Sequence, residues 1–184
     1  LALIEDLLDY SKIEAGRFKP EPQPMSPREI GDGIVELLAA RAYGKDIGLA
    51  CYAAPNVPRT IVADPGRIRQ VLLNLIGNAI KFTEAGGVLV SIERITSESS
   101  DRIRFTVADT GPGLREDDRE RIFEEFEQDD GTSTRTHGGA GLGLAISKRL
   151  IAAMGGSMSV SSRLGKGSEF MFEIPAAAPG ETLE

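Results

Sequence analysis

Two asparagines four residues apart, followed three residues later by a lysine, form the first group with chemical potential: Asn74, Asn78 and Lys81 in RIRQVLLNLIGNAIKF, residues 67–82. At a helical advance of about 100° per residue from Asn74, Asn78 falls at about 40° and Lys81 at about 340°, so the three share one face. Leu72, Leu75, Ile76 and Ala79 fall between roughly 100° and 200° and form a buried stripe, while Arg67 and Gln70 project on the polar side. A polar helix face is usually just solvated. Asparagine, however, is a mediocre helix former that belongs at caps and turns. An amide oxygen can ligate a hard cation without adding negative charge, and a lysine beside it can meet phosphate oxygens. That combination suits a magnesium-bound triphosphate.

The second group is Asp109-Thr110-Gly111-Pro112-Gly113-Leu114, directly after the apolar run Ile103 to Ala108. At its plainest this is a tight turn at a strand end. Read as chemistry, it fixes a carboxylate at the end of a sheet. An ionised carboxylate only accepts hydrogen bonds, so it would take adenine's exocyclic amine and repel the carbonyl that guanine carries there. The glycines let the backbone come close to the base. The third group is His137-Gly138-Gly139-Ala140-Gly141-Leu142-Gly143-Leu144. The loop sequence DDGTSTRTHGG precedes it, which excludes the strand that a dinucleotide fingerprint requires. Glycine-rich backbone at a helix N-terminus offers N–H groups and a positive dipole end to phosphates. The polar stretch before it, with Arg135, reads as a mobile lid. Gly165-Lys166-Gly167-Ser168 lacks the spacing of a P-loop, and neither H-R-D, D-F-G nor G-x-S-x-G occurs.

These groups need elements to position them. Ser26 caps a helix over about residues 27–44, with Pro27 in the first turn and Glu29 three residues after the cap. Strands follow near 47–53 and 60–63, then the asparagine helix from Asp64 to about Thr83. Strands at 88–95 and 102–108 form a hairpin across a polar connection, a short helix lies near 115–123, and a long one covers about 141–154. Strands at 157–161 and 169–174 complete a two-layer α/β sandwich, with helices on one face of a mixed sheet. Before all this, Leu1, Ile4 and Leu8 together with Leu3, Leu7 and Tyr10 give a helical stub with a wide apolar face, closed by Gly16. It reads as the tail of a longer helix. Pro20, Pro22, Pro24 and Pro27 mark an extended connector.

The 184 residues carry 21 Lys and Arg against 28 Asp and Glu, a formal charge of −7, which argues against broad nucleic-acid binding. No apolar run approaches the roughly 20 residues that span a bilayer. One cysteine, Cys51, and one histidine, His137, exclude an internal disulfide and multi-Cys zinc sites.

Taken in order, NLIGNAIKFT, DTGPGL, FEEF, GGAGLGL and GKGSEF resemble the N, G1, F, G2 and G3 boxes of the ATP-binding catalytic domain of bacterial sensor histidine kinases. LLDYSKIEAGRF resembles the end of the second helix of that family's dimerisation and phosphotransfer domain. The resemblance implies three segments: 1–18 as the end of that helix, 19–175 as the catalytic domain, and 176–184 as a linker or disordered tail. It implies a Bergerat-type α/β (α+β) sandwich, its mixed sheet covered on one face by three helices, with ATP between the asparagine helix and the lid. Asn78 is implied as the magnesium ligand, Lys81 as the phosphate contact, and Phe82 as the ring near adenine. Asn74 and Leu114 line the same site. Asp109 is implied to hold the adenine amine, with Gly111 and Gly113 shaping the pocket and Ser168 supporting the carboxylate. Gly139, Gly141, Leu142 and Gly143 are implied as the lid hinge and phosphate turn, and Phe123 and Phe126 as anchors of the lid or contacts to phosphotransfer helices.

Some positions depart from the pattern. Gln128 stands where many relatives carry arginine, which leaves the γ-phosphate to Arg135, and Ala140 replaces a frequent Thr or Ser. His137 lies in the lid and does not match the phosphoacceptor, which the family carries upstream of Leu1; the chain is expected to bind ATP without phosphorylating itself at the usual site. Hydrolytic relatives of the fold place a glutamate where this chain has the neutral Asn74, so slow hydrolysis and transfer to a positioned histidine are expected. The alternatives are a degenerate ATP-binding regulatory module and a slow ATPase. The implied partners are ATP, a phosphotransfer histidine domain, a response regulator receiver domain and a second copy in the full-length protein, in the cytoplasm. Contact of this segment with nucleic acid or membrane is not expected, whether or not the full-length protein is membrane-anchored.

Overall fold

The computed structural model describes residues 8, 9, 11–96, 100–124 and 143–177. A five-stranded mixed sheet runs in the order β2 (Gly48–Ala53), β4 (Gly87–Thr96), β5 (Asp101–Asp109), β7 (Gly167–Pro175) and β6 (Ser157–Arg163). Only β2 and β4 pair in parallel; the other neighbours are antiparallel. A short antiparallel ladder joins β1 (Gln23–Met25) to β3 (Ile61–Ala63). The proline connector therefore contains a strand, and its hydrophobic Met25 enters the core.

Alternation decides which face of the sheet is covered. Val88, Val90 and Ile92 of β4, Ile103, Phe105 and Val107 of β5, and Phe172 and Ile174 of β7 are all buried, as the two-residue period of a strand places them on one side. Phe105 and Phe172 face each other across the ladder with ring centroids 4.8 Å apart. On the open side, Arg104 and Glu173 occupy opposed positions and form an ion pair at 2.6 Å.

Three helices cover the apolar face: α1 (Pro27–Tyr43), α2 (Pro65–Phe82) and α4 (Gly143–Ala153); the short α3 (Asp118–Arg121) lies near β6. In α2, Ile68, Val71, Leu72, Leu75, Ile76, Ala79 and Ile80 are buried, the three- and four-residue spacing of a core-facing stripe. Burying one such side chain contributes about 1.5–3 kcal/mol, so this helix is fixed mainly by its packing. Both long N-termini are capped as their sequences require. Ser26 Oγ accepts from Glu29 N at 3.3 Å, and Asp64 Oδ1 accepts from Arg67 N at 3.1 Å. No helix among the described residues is long and apolar enough to cross a membrane.

Residues 11–14 are helical and end at Gly16, whose φ is +62°. Ile13 and Phe18 of this N-terminal segment pack against the core. Its contacts to the body are polar at the edge of that packing. Asp9, only 6% exposed, accepts from Arg67 Nη1 at 2.6 Å and from Gln70 Nε2 at 3.0 Å. Glu14 pairs with Arg149 of α4 at 3.3 Å, and the Arg67 guanidinium lies 5.1 Å from the Phe18 ring centroid.

Candidate functional site

The polar face of α2 is partitioned along its length. Its first turns hold the N-terminal segment through Arg67 and Gln70. The middle reaches α4: Asn74 Nδ2 donates to the buried Ser147 Oγ at 3.1 Å, and a Cβ on Gly143 would stand 2.5 Å from Asn74 Oδ1. Gly143, the first residue of α4, thus sits directly on the Asn74 amide, an approach that any side chain would block. A turn further, Asn78 is half-buried, and its amide has no hydrogen-bond partner among the described residues. Lys81 places its ammonium 5.0 Å from the ring centroid of Phe82, which is 53% exposed. The C-terminal end of α2, Asn78 to Phe82, therefore carries an amide without a partner among the described residues, a cation and an exposed aromatic ring.

Asp109, the last residue of β5, faces this end of the helix. Its Oδ1 accepts from Gly111 N at 2.8 Å and from Ser168 N at 3.3 Å, while Oδ2 has no partner among the described residues. Burial pushes its pKa above the ordinary carboxylate value of 3.8, and the two backbone N–H groups pull it down without cancelling that effect. The turn after it abuts α2: a Cβ on Gly111 would lie 2.8 Å from Asp109 Oδ1, 3.4 Å from Phe82 O and 3.5 Å from Thr83 Oγ1. Thr83 is fully buried, and its hydroxyl has no hydrogen-bond partner among the described residues. Thr110 fixes the turn from the other side, its Oγ1 accepting from Gly87 N at 2.9 Å and donating to Ala85 O at 2.8 Å.

Two glycines in the left-handed region let three chain segments converge behind the carboxylate. Gly113 has φ +68° and a Cβ there would stand 2.1 Å from Arg163 O; Gly167 has φ +96° and a Cβ would stand 1.9 Å from Asp109 O. Ser162 ties these segments together. It is 7% exposed, and its Oγ accepts from Leu114 N at 2.7 Å, lies 3.0 Å from Gly167 O and 2.8 Å from Ser168 Oγ. Ser168 reaches the Asp109 carboxylate through its backbone N–H, while its hydroxyl is spent on Ser162. Sequence reasoning missed Ser162: a serine on an outer strand carries no motif, and its partner Leu114 lies 48 residues away.

Arg135, Gly139, Gly141 and Leu142, with Phe126, Gln128, His137 and Ala140, lie outside the described residues. Phe123 is described and packs edge-on against Phe170 at 6.4 Å, with Lys148 Nζ 4.7 Å from its ring centroid. A cavity of about 630 Å³ opens beside the first half of α2, bordered by Asp9, Lys12, Arg67, Gln70, Asn74 and Ser147. It adjoins Asn74 but not Asp109. No cluster of His, Cys, Asp and Glu suited to a metal occurs among the described residues.

Residues 63–178 match the family described as histidine kinase-, DNA gyrase B-, and HSP90-like ATPase. The signal transduction histidine-protein kinase BarA of Escherichia coli (strain K12) is 42% identical over 175 residues, 95% of this chain and 19% of BarA. This chain therefore spans about a fifth of the curated relatives it matches. Among solved structures, full-length ShkA in complex with AMPPNP is 44% identical with a TM-score of 0.83, covering 96% of this chain and 36% of ShkA. The catalytic domain of histidine kinase ThkA is 30% identical with a TM-score of 0.71, covering 85% of this chain and 97% of that domain. ThkA in complex with the response regulator protein TrrA is 26% identical with a TM-score of 0.71, covering 95% of this chain and 48% of the matched chain.

Proposed function

The chain belongs to the histidine kinase-, DNA gyrase B-, and HSP90-like ATPase family, as an ATP-binding domain of the sensor histidine kinase kind, and on that premise we propose that it binds magnesium-ATP and donates the γ-phosphoryl group to a histidine on a phosphotransfer domain. One observation carries the reading. The Asp109 carboxylate, with Oδ1 held by two backbone N–H groups and Oδ2 free, abuts the end of the helix on which Asn78 keeps an unspent amide.

The residues present fit both groups. Oδ2 of Asp109 accepts the adenine amine, and the exposed Phe82 ring lies at the same end of α2. The Asn78 oxygen is a hard, neutral donor for magnesium, and Lys81 meets phosphate oxygens. Magnesium, when bound, offsets charge on the phosphate oxygens. The protein's own part is alignment: Asp109 sets the base, Asn78 and Lys81 set the phosphate end, and the incoming imidazole finds the phosphorus already in place. The imidazole nitrogen forms the new bond to phosphorus as the bond to the bridging oxygen breaks, and ADP leaves.

Transfer is favoured over hydrolysis at Asn74. Its amide is neutral and its nitrogen is engaged by Ser147, so it has no basic atom to activate water. ThkA has been solved with a response regulator, which supports a receiver domain as the next acceptor for this chain. Calorimetry with magnesium-ATP, repeated with chelator, should show binding that depends on the metal. A separate phosphotransfer domain added with radiolabelled ATP should then acquire label on its histidine. Absence of binding at millimolar nucleotide would overturn the reading.

A further inference from the structure

The turn after α1 reaches across to α2. Lys45 Nζ donates to Ile80 O at 3.0 Å and to Lys81 O at 2.9 Å, and lies 3.5 Å from Glu84 Oε1. These carbonyls belong to the last turn of α2, where a helix leaves its acceptors without internal partners. A protein side chain 35 residues away supplies the donors.

The turn that presents Lys45 is itself held in place. Lys45 N donates to Ala42 O at 3.0 Å, Asp46 N to Tyr43 O at 3.0 Å and Ile47 N to Ala42 O at 3.2 Å. Asp46 has φ +56°, the one positive φ on a non-glycine among the described residues. Aspartate tolerates that region, and a single left-handed residue is the common way for a helix to end. These bonds and the left-handed aspartate are the usual close of a helix C-terminus, and they fix where the Lys45 side chain starts.

Taking the proposed nucleotide site as its basis, we infer that Lys45 is a positioning residue for the phosphate end of that site. The turn it caps carries Lys81 and begins one residue after Asn78's neighbour Ala79, so loosening it shifts the amide oxygen and the ammonium together. The ammonium also offsets the partial negative charge of the helix C-terminus, which otherwise opposes a polyanion bound nearby. Glu84 is 84% exposed on its side chain and competes only weakly for Lys45 through solvent. Adenosine carries no phosphate charge for the Lys45 and Lys81 ammonium groups to act on, so it should sense Lys45 far less than magnesium-ATP.

The test compares magnesium-ATP and adenosine by calorimetry on wild type, Lys45→Met, Lys45→Gln, Lys45→Arg and Glu84→Gln, each checked for folding by thermal melting. Lys45→Met should weaken magnesium-ATP about five-fold, the upper end expected for a solvent-exposed charge at a helix terminus, and leave adenosine within about 1.5-fold. Lys45→Gln should fall between, Lys45→Arg should recover most of the affinity, and Glu84→Gln should not weaken it. Equal losses for ATP and adenosine, or unchanged ATP affinity in a folded Lys45→Met or Lys45→Gln, would overturn the assignment. Wild-type protein that binds adenosine but not magnesium-ATP would instead strike the functional reading beneath it.

Discussion

Replacing Asp109 by asparagine removes one charge and turns one acceptor into a donor at nearly constant volume. The pocket allows the new amide two arrangements. With its oxygen where Oδ1 accepts from Gly111 N at 2.8 Å and Ser168 N at 3.3 Å, its NH₂ points where the adenine amine must donate. Turned over, the NH₂ faces those two backbone N–H groups. Either way a hydrogen bond to a charged acceptor is lost, worth about 1.5–3 kcal/mol. At about 1.4 kcal/mol per tenfold, the Kd for magnesium-ATP should rise roughly 10- to 150-fold. Folding should not suffer, because burial already disfavours the ionised carboxylate. Calorimetry with melting controls decides it: a folded variant binding within about twofold of wild type would refute the reasoning. The same carboxyl sets a pH dependence. Its folded-state pKa stands above the unfolded value of 3.8, so its contribution to stability is complete below that value and is lost as pH rises through the raised one. On the proposed reading, adenine recognition needs the ionised form. ATP affinity should therefore fall as pH drops through the raised pKa, and Asp109→Asn should flatten that fall.

Thr83→Val removes a buried hydroxyl that has no partner among the described residues, and should stabilise the chain by about 1 kcal/mol, read as a melting shift of about 2–4 °C upward. Ser162→Ala strips the acceptor from Leu114 N and one anchor from the Ser168 segment; a loss of about 1–3 kcal/mol is expected, with weaker ATP binding at temperatures where the variant is folded. Asp9→Ala should free the N-terminal segment, leaving Arg67 without its carboxylate. Amide exchange at residues 11–18 should accelerate while β4 and β5 remain protected, and uniform acceleration would contradict a local role.

The sequence revealed most of what is periodic or punctuated. The stripe of α2, the Ser26 and Asp64 caps, the β4–β5 hairpin and the turn at Asp109 are all set by neighbours within a few residues. Their boundaries shift by one or two positions, except that the short helix contracts to Asp118–Arg121. What escaped is long-range. Met25 and its strand sit between prolines, and only pairing with β3 discloses them. Ser162, Lys45 and the Asp9–Arg67 pair each act across 35 or more residues, through partners that no local pattern specifies. Asn74 and Asn78 looked equivalent on a helical wheel. Contact with Ser147 and Gly143 separates them, making one a brace between helices and leaving the other available.

The hairpin between β4 and β5 opens at the far end of the sheet from Asp109. Val88 is opposite Asp109 at one end of the ladder and Thr96 opposite Asp101 at the other, eight residues along, roughly 27 Å away. That distance makes the connection after Thr96 a practical port for protein engineering. A fluorophore, an affinity handle or a whole reporter module grafted there would sit far from the carboxylate without crowding it.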